Sequence, residues 1–177
     1  MRSFNLAAVM SCAVASSALA ASLPVPIAPA SDGKLQCYAP NDTAKSCQAL
    51  AGYQPGPDGG IVNAASVLVS MQPAIIMRTV TLVSIKAQQV CGVLKAEDIA
   101  AADFTVNASP ATAEQTAMLR QQITAAQKSI FGHEICTAYV PDGDGLTAKA
   151  FVDGVAQPTM DQKVMWVSAG DGFKAQP

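Results

Sequence analysis

The sequence predicts an α+β domain: one mainly antiparallel or mixed sheet, packed by a single long helix and fastened by two disulfides. Three observations predict it. Leu119, Ile123, Ala126 and Ile130 recur at helical spacing and form one apolar stripe. Several other stretches are short apolar runs or alternate with a period of two, as strands do. Four cysteines remain after removal of an expected signal peptide, an even number suited to pairing in an exported chain.

Residues 1–20 read as that signal peptide. Arg2 supplies the basic start, Phe4 to Leu19 is small and apolar, and Ala18-Leu19-Ala20 fits the cleavage box. A lipoprotein signal ending at Cys12 is the alternative, but Met10 sits poorly in its recognition box. Residues 21–33 carry Pro24, Pro26 and Pro29 among small residues and read as an extended, flexible leader. Residues 34–170 form the expected single domain, and 171–177 its tail.

Within the domain, Leu35 to Tyr38 reads as a short strand and Lys45 to Leu50 as a short helix ended by Gly52. Gln54 to Gly60 is turn-rich. Ala65 to Ser70 and Ala74 to Lys86 are the strongest strand candidates. The second has so few polar interruptions that it reads as central, covered on both faces. Gln89 to Leu94 is a further strand, Ala96 to Ala102 a helical turn, and Phe104 to Val106 a strand. The long helix begins either at Ser109-Pro110 or at a capping box formed by Thr112 and Gln115. It stops at Gly132, and Glu134 to Val140 continues as a strand. Pro141 to Gly145 is a turn. Leu146 to Val152 alternates, Asp153-Gly154 turns the chain, and Lys163 to Ser168 is the final strand.

Cys37 with Cys47 and Cys91 with Cys136 is the preferred pairing: one local loop, and one bridge from the middle of the chain to the strand after the helix. Thirteen acidic residues face eleven basic ones, and loss of Arg2 with the signal takes the formal charge from −2 to −3. With no basic cluster, nucleic acid is not expected as a partner. No apolar run after the signal is long enough for a transmembrane helix.

The chemistry-bearing candidates are few. His133, the lone histidine, stands beside Glu134, but strand neighbours point to opposite faces. No G-x-S-x-G elbow or H-E-x-x-H pair accompanies it, and a polar junction residue is the reading favoured. Asp142 and Asp144 resemble part of a calcium loop, yet Leu146 occupies a ligand position and a tight turn selects the same residues. Arg78 either reaches into a pocket to hold an anion or keeps its head in water at a sheet edge. Tyr139 and Trp166, with Phe151, form an aromatic binding face if the strands bring them together; core packing is the simpler expectation. No cofactor and no metal site is expected. The reading that follows is a periplasmic or secreted, disulfide-stabilised, non-catalytic protein. It would bind a protein or small molecule, or serve an envelope complex. The alternative is a small exported hydrolase using His133 and an acidic partner.

Overall fold

A computed structural model describes residues 22–177. The expected signal peptide, with Cys12, lies outside them. Eight strands form a closed antiparallel barrel: β1 Leu35–Tyr38, β2 Ala49–Pro55, β3 Ile61–Met71, β4 Ala74–Lys86, β5 Gln89–Val93, β6 Glu134–Asp142, β7 Gly145–Val152 and β8 Gln162–Val167. Each strand pairs with its neighbour in the chain. The last then meets the first, with Leu35 opposite Val167 and Tyr38 opposite Val164. The topology is therefore up-and-down, with the first and last strands of the ring paired to each other.

The α+β expectation is overturned by that closure. A sheet that ends in two edges needs a helix to cover its apolar face; a sheet that closes covers that face itself. The long helix α2, Ala113–Gln127, buries only Leu119 fully and packs to one side. It begins at Thr112, whose hydroxyl accepts from the Gln115 N–H while Gln115 returns to the Thr112 N–H. That box satisfies two amides the first helical turn leaves free. Ser109–Pro110 is instead a short strand paired with Asp103–Val106.

Cross-strand partners share a face, so the register sorts inside from outside. Gln36, Tyr38, Tyr53, Val83, Val90, Tyr139 and Trp166 fall on the inner face. Leu23, Ile27 and Ala30 pack against this core from the proline-rich stretch that composition marks as a leader. Ile27 is completely buried, a contribution of about 2 kcal/mol by area. It lies before the 3-10 helix Ala28–Asp32, which Gly33 ends in the left-handed region.

A second core joins Met77 on β4 to Ile99 of α1 (Ala96–Ala101), to Ala102 and Phe104, and to Leu119 of α2. A third surrounds the Cys37–Cys47 bridge with Val167, Leu50 and Phe173. Here Lys174–Ala175 pairs in parallel with Ser46–Cys47, so the tail is docked. Lys45 to Leu50 is not helical: Ser46–Cys47 and Ala49 onward are extended. Both disulfides pair as the sequence preferred, Cys37 with Cys47 and Cys91 with Cys136. Cys91 and Cys136 are directly opposite residues of β5 and β6. No helix among the described residues is long and apolar enough to cross a membrane.

β4 is covered on one face only. Val80 and Leu82 are 68% and 64% exposed on its outer face. Its edge toward β5 is also divided. Ser84 to Lys86 pair with β5, Ile75 to Arg78 pair with the strand Asp103–Val106, and Thr79 to Val83 lie between with no strand on that side.

Candidate functional site

Among the described residues, the barrel interior holds a buried polar cluster built from several strands. Gln36 of β1 is completely buried. Its Oε1 lies 2.8 Å from the Tyr53 hydroxyl, 3.0 Å from Tyr139 and 3.1 Å from Tyr38. Tyr38 and Tyr139 are also 2.6 Å apart, and Tyr53 and Tyr139 3.3 Å. Alternation places these groups together: Gln36 and Tyr38 are two apart on one strand, and β2 and β6 supply the other tyrosines from inward positions. Gln36 Nε2 is buried without a partner. A buried amide N–H left unpaired costs about 1–3 kcal/mol.

Burial pushes the Tyr38 phenol well above its ordinary range, reinforced by Tyr53 and Tyr139. Burial does the same for Tyr53, and raises Tyr139 despite its hydrogen bonds to Tyr38, Tyr53 and Gln36. The cluster is therefore neutral at ordinary pH, since desolvation disfavours phenolate.

These tyrosines line an open pocket of about 190 Å³ in the barrel wall, together with Asn63, Thr81 and Thr137. Val83, Val90, Leu94 and Ile135 supply apolar wall. No charged side chain lines it. Thr81, Leu82, Val83, Gly92 and Val93 also line a groove of about 440 Å³ that reaches Lys95, Asp98 and Glu134. The shared residues flank the place where β4 and β5 part. Gly92 keeps that place narrow yet unfilled: a Cβ there would come 3.2 Å from Val83 Cγ1.

Of the sequence candidates, Tyr139 and Trp166 do come together on the inner core. Phe151 does not, for it pairs with Cys136 on the opposite face. His133 binds Asp153 rather than Glu134, with Nδ1 2.5 Å from Oδ2, and both are solvent-exposed. Asp153 also accepts from the Glu134 N–H. The His133 hydrogen bond, then the Glu134 N–H, lower the Asp153 carboxyl below its usual range. Glu134 pairs with Lys86. His133 lines neither the cavity nor the groove.

Asp142 accepts from the Thr147 hydroxyl and stands 3.7 Å from Lys163. It ends β6 and Asp144 lies in the β6–β7 turn, and among the described residues they join no cluster of metal-ligating groups. The cluster that does exist, Cys91, Glu134 and Cys136, has its sulfurs in a disulfide. A thiolate is needed to bind metal, so it offers none. Arg78 is exposed on the outer face of β4, beside Ser66 and Thr105 in a surface groove.

Gln36, Tyr38, Tyr53 and Asn63 were missed from sequence. The signal was weak but present: a strand with Gln36 and Tyr38 on one face places two hydrogen-bonding groups where a sheet is usually apolar. No protein-family model, curated protein or solved structure matches the chain.

Proposed function

We propose that this chain is an exported, disulfide-stabilised binding protein without a catalytic role, whose small-molecule ligand sits inside the barrel against the Gln36–tyrosine cluster. One observation carries the reading. The fully buried amide of Gln36 gathers the hydroxyls of Tyr38, Tyr53 and Tyr139, and those three tyrosines line the pocket. Eight-stranded barrels are just wide enough for side chains to fill or for one small ligand to enter. A polar cluster bordering an apolar cavity is the arrangement that orients such a ligand.

Export is supported by the two disulfides, which persist in oxidising compartments. It is supported too by the signal-like composition of residues 1–20. The hydrolase alternative is not adopted. His133 and Asp153 form a solvent-exposed pair to which no serine among the described residues is hydrogen-bonded, and Cys37, Cys47, Cys91 and Cys136 are bridged.

The test is expression of the full chain with its signal, followed by native mass spectrometry of the gently purified product. The expected result is a mature chain beginning at Ala21, with both bridges formed and a retained small molecule. Tyr53→Phe should retain less of it. A chain held in the cytoplasm with free thiols would refute the exported part. A ligand-free mass, with no thermal shift in any fraction of a small-molecule extract, would refute the interior site.

A further inference from the structure

On its β5 side, β4 lacks a partner for part of its length, and the register shows which backbone groups are left over. In an antiparallel ladder only alternate residues turn their N–H and C=O toward a given neighbour. Both ends of β4 identify them. Lys86 pairs with Gln89 across the two-residue turn. The Ala74 carbonyl accepts from the Asn107 N–H at 2.8 Å, and the Ala74 N–H donates to Asn107 Oδ1 at 3.1 Å. The even-numbered residues therefore face this side. Ile76 and Arg78 meet Thr105 and Asp103 there, and Ser84 meets Cys91. Val80 and Leu82 meet nothing. Among the described residues, their N–H and C=O groups have no strand partner on that side and enter no turn or loop bond.

Two N–H and two C=O groups in a row at strand spacing are complementary to another extended main chain. The gap is bounded at both ends. β5 leaves it after Cys91, because Gly92 and Val93 pair with β6 alone. The strand Asp103–Val106 begins opposite Arg78. Arg78 to Ser84 is roughly 20 Å of strand, room for a short segment whose ends turn outward. A second copy cannot fill it with its own β4, for that edge is recessed between the same two strands. Charge agrees with a neutral backbone as occupant. The 440 Å³ groove along the gap is lined by Lys95 and Asp98, of opposite sign, and by Glu134, which Lys86 neutralises.

We propose that the Val80–Leu82 edge of β4 is a docking site for an extended peptide of a partner protein, added antiparallel as the strands on either side are. The peptide residues opposite Val80 and Leu82 lie outward, against those exposed apolar side chains. The residue between them faces Thr81 and the 190 Å³ pocket, and is small. The bonds are to the β4 backbone, so the proposal does not rest on the interior-ligand reading.

The experiment uses the mature protein and the blocked peptide acetyl-Thr-Val-Ser-Val-Thr-amide at about millimolar concentration, read by protein-detected NMR. Before peptide is added, the Val80 and Leu82 amides are expected to exchange with solvent faster than those of Thr79 and Thr81. The peptide should then shift the Val80 and Leu82 amides most. The same peptide with both valines N-methylated keeps its side chains and loses the donors; it is expected to bind at least tenfold more weakly. Leu82→Pro removes an N–H that no strand uses, so the variant is expected to keep the native spectrum and to bind the unmodified peptide about tenfold more weakly. Slow exchange at Val80 and Leu82 in the free protein, shifts centred elsewhere, equal binding of the N-methylated peptide, or no binding at all overturns the proposal. If Leu82→Pro does not fold, the N-methylated peptide still decides.

Discussion

The hydroxyls of Tyr38 and Tyr139 stand 2.6 Å apart although 101 residues separate them in the chain. With Tyr53 they are all three tyrosines of the protein, and all three reach the same amide oxygen of Gln36. Every tyrosine signal from the folded molecule is thus a signal from the barrel interior.

Alkaline titration follows directly. The folded phenols are raised above the unfolded value near 10. The stability they contribute is complete below about pH 10 and is lost as the pH climbs toward the folded values, because the unfolded chain gives up its protons first. Tyrosinate absorbance should therefore stay low past pH 10 and rise together with loss of structure. An ordinary titration near pH 10 in a chain that stays folded would contradict the buried cluster.

Removing the acceptor should cost more than removing one donor. Gln36→Leu leaves three buried hydroxyls without their shared oxygen and is expected to destabilise by about 1–3 kcal/mol. Tyr38→Phe keeps both shorter bonds to Gln36 and should cost less than about 1 kcal/mol. Urea unfolding of the two variants checks the order; equal losses would point to simple packing instead.

Much of the strand layout was legible in the sequence. β1, β4, β5, β7 and the Asp153-Gly154 turn declare themselves through alternation, glycine and aspartate. Closure was not legible. It depends on Leu35 meeting Val167, a pairing no local period encodes. The helix misled for the opposite reason: Leu119, Ile123 and Ile130 form a clear stripe, but the stripe reports a side core and not the cover of a sheet. The site stayed hidden because Tyr139 lies 103 residues from Gln36 and no local period joins them. Only the register makes them neighbours.

The two disulfides should differ in weight. The Cys91–Cys136 bridge spans 45 residues and Cys37–Cys47 spans 10. Loop-closure entropy assigns them about 4 and about 2.7 kcal/mol. Thermal melts of Cys91→Ala/Cys136→Ala and Cys37→Ala/Cys47→Ala should show the larger drop for the former.

The β4–β5 hairpin turns through Ala87 and Gln88, whose φ angles are 46° and 63°. Both are left-handed, where a side chain costs about 1–2 kcal/mol and glycine nothing comparable. Gln88→Gly is expected to stabilise by about 1 kcal/mol, read as a higher melting temperature. A lower one would mean that the Gln88 side chain supplies more than its backbone gives up.

Because β8 completes the ring against β1, the barrel cannot close until the chain has emerged as far as Val167. Pairings between the two ends of a sequence form late, after their loop entropy has been met. Until then β1 lacks its second partner, while the hairpins between consecutive strands are free to form.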